Sequence, residues 1–362
     1  MNKEKFIMKR SCMSRRGLSL CLILGLFLGF QAPVLAATVY YNSSASNGGY
    51  MDEDSKWVGG AAPATGDYVY LTTDSAGDRS IFYRYVYNGS SFPLPNFQSL
   101  TIDNDGGGTM YLLSSSVYTN GRLSSNYVFI GYSGKGALTQ SSGVVSVRES
   151  LTLGSSQTGD GRYSISGGAL IAPDYELNLT VGSSGRGTFE QGGGSVDLRN
   201  GILRVGSASG SNGTYSLSGT GTLSARYEYI GSGGTGSFTQ SAGTNRIGSY
   251  LHIGSGSGSS GSYTMSGGSL ESSSSSFGLT VGSAGSGTFD QSGGTVNLGL
   301  GRLYVGYGSG SSSSYSLSDT GSLSAYSEII AYSGTGTFTQ TGGTNRIRSD
   351  LHIGAGLGSS GT

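Results

Sequence analysis

Apolar and polar residues alternate along most of this chain in runs of three to five positions, and each run stops at a cluster of Gly and Ser. One four-residue pattern, aliphatic–x–aliphatic–Gly, returns as LTLG (151–154), LTVG (179–182), LRVG (203–206), LHIG (251–254), LTVG (279–282), LYVG (303–306) and LHIG (351–354). Degenerate versions are VFIG (128–131), EYIG (228–231) and EIIA (328–331). The closing positions are spaced 23, 28, 24, 25, then 23, 28, 24, 25, then 23 residues, so four short units make one 100-residue block. The block is plainest where FTQSAGTNRIGSYLHIG (238–254) becomes FTQTGGTNRIRSDLHIG (338–354).

A second column follows each tetrapeptide, reading aromatic–x–(Gln or aliphatic)–Ser–Gly–Gly. Its first position holds Leu138, Tyr163, Phe189, Tyr215, Phe238, Tyr263, Phe289, Tyr315 and Phe338. A third short run follows the glycines, as in ALIA (169–172), SVDL (195–198), TLSA (222–225) and TVNL (295–298). Alternation at period two, broken by Gly-Ser corners, predicts strands, and nothing after residue 37 has helical periodicity. A unit of about 25 residues with three short strands cannot bury its own apolar face, but stacked units can. The expected fold is all-β: a right-handed parallel β-helix, or solenoid, of about ten short turns behind an N-terminal β cap. The handedness follows the usual crossover between parallel strands. Gly at the corners supplies positive φ and close backbone approach. A β-propeller, the competing architecture, needs blades of about 40 residues, longer than these spacings.

The pattern also predicts orientations. Leu251, Ile253 and Phe238 should face the core, and His252 and Thr239 should face out. Gln140, Gln191, Gln240, Gln291 and Gln340 share a column with Ile165, Leu217, Met265 and Leu317, so Gln occurs on alternate turns. Two such amides are about two strand spacings apart and cannot bond each other. Each is expected to turn toward the adjacent Gly-Gly corner and satisfy backbone groups there; a sugar-binding row is the alternative.

Composition then narrows the class. The 362 residues include 67 Gly and 5 Pro, only 12% are charged, and the formal net charge is zero. Nothing in that balance points to nucleic acid or an anionic membrane as partner. Residues 1–36 read as a signal peptide: a basic region (Lys3, Lys5, Lys9, Arg10, Arg15, Arg16), an apolar core at 17–30 that is short for a membrane span, and small residues VLAA at 34–37 with cleavage expected after Ala36. SRRGLS partly resembles a twin-arginine signal; the general export route is the expectation. Both cysteines, Cys12 and Cys21, lie inside this segment, so the mature chain is expected to have no disulfide; no integral membrane span is expected in it either. The expected organisation is 1–36 signal peptide, 37–126 Tyr-rich N-terminal β cap and first turns, and 127–362 repeat array. The chain stops at GAGLGSSGT (354–362), where earlier copies run on into YSIS or YTMS, and is expected to be a fragment of a longer reading frame.

Candidate chemistry is sparse. His252 and His352 occupy equivalent x positions of the tetrapeptide, with no Cys or Asp pair to make a metal site, and read as exposed scaffold. DNDGGG (103–108) faintly resembles a calcium loop but lacks the ligand count, and reads as a turn. GSGSGSSG (254–261) contains Gly-x-Gly-x-x-Gly without a surrounding βαβ unit, so composition accounts for it. Asp174, Glu176, Asp197 and Arg199 would be the carboxylates and basic residue of a polysaccharide-cleaving β-helix, yet they are scattered over two turns. Most polar positions recur by block, whereas a single active site calls for a cluster that occurs once. The expectation is therefore no catalytic, cofactor or metal residues, and no enzyme.

GTGTFTQTGGTN (334–345) and LHIGSGSGSSGSY (251–263) resemble the Gly/Ser-rich β-strand repeats of large exported bacterial proteins, both autotransporter passenger-like proteins and those carrying PEP-CTERM sorting signals. The W-x-G-x-x-x-P…GD-x-V stretch from Trp57 to Val69 is similar to the opening of such proteins. The resemblance covers about residues 50–362. It implies an exported, non-enzymatic protein at the outer surface: a rigid stalk, adhesin or matrix component whose partners would be surface polysaccharide or extracellular matrix. A polysaccharide-binding or polysaccharide-cleaving β-helix is the alternative.

Overall fold

The computed structural model describes residues 36–42, 44–83, 95–114, 121–173, 176–272 and 278–362. The expected signal peptide, residue 36 apart, and Asp174 lie outside them. Every pairing between named strands is parallel, which excludes the antiparallel blades of a propeller. Strand follows strand as coils of a solenoid, with about ten turns stacked in register. Apart from one short 3-10 turn at Asp54–Lys56, the named elements are strands.

Three strand rows run along the solenoid, as the three sequence columns predict. The aromatic column forms a 12-stranded sheet of its own. The third run and the tetrapeptide form a second sheet, joined on several turns by long bent strands such as Val144–Leu153 and Thr244–Ile253. Register follows the repeat along the aromatic sheet, while the second sheet shifts register at the bends between Ser125 and Tyr127 and between Ala225 and Tyr227. Phe189 pairs with Tyr215, Tyr215 with Phe238 and Phe238 with Tyr263, while Leu251 pairs with Leu279 and Ile253 with Val281.

Burial alternates at period two along most strands; Ser327–Ile330 is buried throughout, and Leu351–Ile353, expected to turn its aliphatics inward, is exposed where no later coil of the described chain covers it. Leu251, Ile253 and Phe238 are fully buried, and Thr239 is exposed. The aromatic column becomes a continuous stack: from Phe189 to Tyr315 ring centroids are 4.6–4.8 Å apart with interplanar angles of 3–11°. That spacing is the inter-strand distance of a parallel sheet, so backbone pairing itself sets the rings at van der Waals contact.

The Gln column satisfies the corner and does something more. Gln240 Nε2 donates to Gly243 O (3.2 Å) and to Ser269 O on the next turn (2.9 Å), as expected from the corner argument. Its Oε1 accepts from the buried Tyr263 hydroxyl at 2.5 Å. The same triple contact holds for Gln140 with Tyr163, Gln191 with Tyr215 and Gln291 with Tyr315. Phe and Tyr alternate in the column for this reason. A Tyr needs a buried acceptor, which the Gln of the preceding turn provides; a Phe needs none.

At the closing position of the tetrapeptide, φ lies between 61° and 77° in all ten units, Ala331 included. The position is also crowded: a Cβ at Gly254 would lie 2.1 Å from Ser286 O of a neighbouring turn.

The N-terminal region is more regular than its sequence suggests. Val69, Leu71, Leu100 and Ile102 sit in register with Val128 and Ile130, so a tetrapeptide equivalent does exist before residue 127, with Asp103 where later turns have Gly. Trp57 is fully buried and its Nε1 donates to Met51 O at 2.8 Å. Tyr41 bridges Trp57 antiparallel, a departure from solenoid geometry at the start of the described chain.

Candidate functional site

Among the described residues, those singled out in the sequence lie apart from one another and form no common cluster. Asp197 Oδ1 accepts from Arg199 N (2.8 Å), and Arg199, at φ 53°, donates from Nε to Ala172 O (2.7 Å). One block later Asn297 and Gly299 make the same turn with an amide oxygen (3.0 Å). The Asp197 carboxylate therefore serves backbone geometry. Glu176 is exposed, and Asp174 is outside the described residues. In DNDGGG, Asp103 accepts from the N–H groups of Ser133 and Gly134 at 2.9 Å, and Asn104 Oδ1 accepts from Gly106 N, which makes it a turn that clamps the next coil. Among the described residues no group of three or more His, Cys, Asp and Glu side chains could hold a metal ion.

His252 corrects one expectation. It faces away from the core, but it is half-buried rather than freely exposed, because Tyr229 stacks on it at 5.5 Å and 7° and Tyr250 leans on it at 5.8 Å. Its Nδ1 is buried without a partner, and burial lowers its pKa. His352, one block on, is exposed.

A cluster that the block argument missed lies on the outer face of the aromatic sheet, near its N-terminal third. Three strands, Lys135–Gln140, Asp160–Ile165 and Arg186–Gln191, present their outward residues beside those of Met110–Ser114. Register sets the contents. Lys135, Asp160 and Arg186 form one row across the strands. Tyr111, Ala137, Arg162 and Thr188 form the next. Thr139, Ser164 and Glu190 form a third. The short side chain of Ala137 between Tyr111 and Arg162 opens a groove of about 500 Å³ there, a volume within the range of ligand sites. Arg162 donates to Glu190 Oε2 at 2.6 Å across its wall. Both side chains are substantially exposed, so the pair orients the groups more than it stabilises the fold. Lys135 Nζ reaches Gly107 O at 3.4 Å.

The cluster does not recur. One hundred residues later, Lys135, Asp160, Arg162, Arg186 and Glu190 are replaced by Thr235, Ser260, Ser262, Ser286 and Asp290. The fold therefore does not need these charges at their positions. Reading the two blocks against each other for differences, instead of likenesses, is the signal that finds them.

A second non-recurring group lies on the other sheet. Tyr227 stacks on Tyr250 (5.8 Å) beside the Tyr229–His252 pair, with Arg226 over Tyr227 and Arg204 over Tyr229. Its later counterparts include Ser327, Ile329 and Asp350.

No protein-family model, curated protein or solved structure matches this chain. Among the described residues no helix is long and apolar enough to cross a membrane.

Proposed function

We propose that this chain is a non-enzymatic, exported repeat protein of the bacterial cell surface, serving as a rigid stalk, adhesin or matrix component. The observation that supports this most is the continuous register of the aromatic sheet. A 12-stranded parallel ladder, an uninterrupted ring stack and four Gln–Tyr clamps couple every turn to the next with no hinge among the described turns of the array. Eleven strand spacings give a rod about 50 Å long, built on recurring, chemically mild side chains. The signal-like segment at residues 1–36 and the Gly/Ser-rich repeats resembling autotransporter passengers and PEP-CTERM-associated proteins favour export in the same way.

Two measurements test this reading. Small-angle scattering from residues 37–362 should return the cross-section and length of a stiff rod, and antibody labelling of intact cells should find the chain at the surface. A globular or bent scattering profile, or a purely intracellular location, would count against it. A polysaccharide-acting protein is the second reading, favoured only by the charged groove. A depolymerising activity that survives Asp197→Asn and vanishes with Asp160→Ser or Glu190→Asp would move the function to that class.

A further inference from the structure

We propose that the groove across Tyr111, Lys135, Asp160, Arg162, Arg186 and Glu190 is a binding site for a segment of acidic, uronate-containing polysaccharide. This goes beyond the scaffold reading, since the rod would remain a rod with the groove empty.

Three features identify the occupant. The first is the kind of surface. The floor is the face of a paired sheet, whose backbone N–H and C=O groups are already consumed by the parallel ladder on both sides. A peptide strand has nothing to pair with there, because strand addition requires a free sheet edge. Recognition must run through side chains.

The second is what those side chains offer. Hydroxyls of Thr139, Ser164 and Thr188 lie beside two carboxylates and three cations, with the Tyr111 ring next to the Ala137 notch. Carboxylates accept two hydrogen bonds side by side and so suit the adjacent hydroxyls of a sugar, while an aromatic ring suits its C–H face. Arg and Lys suit a sugar carboxylate. The cations exceed the carboxylates by one, and Glu190 is already engaged by Arg162. Lys135 and Arg186, on either side of Asp160 in one row, are the groups placed for an added anion. Phosphate-rich polymers fit less well, because Asp160 and Glu190 would face them with no hydroxyls to bind.

The third is shape. The groove crosses four strands, about 14 Å at a parallel-sheet spacing of about 4.8 Å, which matches a short run of sugar rings laid along the rod axis. A long polymer could bind several rods, which is what a surface adhesin or matrix component needs.

The internal repeat supplies the control. Lys135→Thr, Asp160→Ser, Arg162→Ser, Arg186→Ser and Glu190→Asp together install the residues that the next block carries on the same sheet face. Calorimetric titration of residues 37–362 with a short oligogalacturonate should show saturable binding that weakens as salt is raised. The five-residue variant should lose about tenfold or more in affinity, the scale of one charge-assisted hydrogen bond. Its circular dichroism and melting curve should match the parent. Arg186→Ser alone should account for a measurable part of the loss. A neutral maltooligosaccharide should bind much more weakly. The proposal is overturned if the parent fails to bind oligogalacturonate at millimolar concentration. Equal binding by a stably folded five-residue variant, or equal binding of the neutral sugar, overturns it as well. A rod-like scattering profile accompanying any of those results would leave the scaffold reading standing, so the two fail separately.

Discussion

Replacing Glu228 with glutamine should stabilise the solenoid at pH 8 and change little at pH 4.5. Glu228 occupies an aliphatic position of the tetrapeptide column, faces the core and is fully buried, in register with Leu203 and Leu251. Its Oε2 accepts from Asn245 Nδ2 at 3.0 Å, while Glu228 Oε1 and Asn245 Oδ1 are both buried without a partner. A proton on the carboxyl group removes the buried charge and supplies a donor where two buried acceptors have none. Burial raises the pKa values of the neighbouring Tyr215 and Tyr263 well above 10, and the Glu228 charge raises them further. Burial lifts the Glu228 pKa from the ordinary 4.5 to about 8, against a smaller lowering by Asn245. The folded state thus holds its proton more tightly than the unfolded chain does. The stabilisation is fully present below pH 4.5, declines as pH rises past it, and is gone above about pH 8. A difference of about 3.5 between the two values, at about 1.36 kcal/mol per pH unit, makes the loss about 5 kcal/mol. Glutamine is neutral throughout, and its amide supplies a donor as well. Urea unfolding followed by circular dichroism, at steps from pH 4.5 to 8, should show the wild-type midpoint falling relative to Glu228→Gln. Glu328 with Asn345 repeats the arrangement with a pKa shifted in the same direction, so the double glutamine variant should flatten the profile further. In the preceding block the pair is Val128 and Val145, both buried, and Glu228→Val with Asn245→Val should also remove the part of the pH dependence that Glu228 contributes. Parallel curves for wild type and Glu228→Gln across this range would refute the reasoning.

Phe238→Ala should cost about 3–5 kcal/mol in urea unfolding, from lost burial plus a cavity in the ring stack. Because coupling is between neighbours, hydrogen exchange should accelerate first in the turns carrying Tyr215 and Tyr263. Gly254→Ala should destabilise through both its φ of 69° and the 2.1 Å approach to Ser286 O, whereas Ala331→Gly, relieving a φ of 61°, should stabilise by about 1 kcal/mol in the same assay. N-terminal sequencing of exported protein should begin at Ala37 or within a residue or two, and recovery of a chain that keeps Met1 would count against export.

Most of the fold could be read from the sequence because a solenoid is periodic. Regular spacing of the closing positions places equivalent residues on equivalent strands, and alternation at period two assigns each to the core or the surface. Leu251, Phe238 and Thr239 needed nothing more. Positive φ at the tetrapeptide corner was legible for the same reason, since ten equivalent positions hold nine glycines. Contacts between unlike columns were not legible, because they depend on which side chains reach across a turn. The Tyr263 hydroxyl finds Gln240, 23 residues back, and Glu228 finds Asn245, 17 residues on, only once two coils stack with their side chains pointing into one core. The half-burial of His252 follows likewise from the tyrosines that neighbouring strands place around it. The groove is the clearest case. Lys135, Asp160 and Arg186 are 25 and 26 residues apart and look like scattered surface charge. Parallel pairing brings them into one row, and the small Ala137 beside Tyr111 and Arg162 turns that row into a cavity. Periodicity in the chain determines which residues stack, but the volume left between unequal side chains exists only in the assembled sheet.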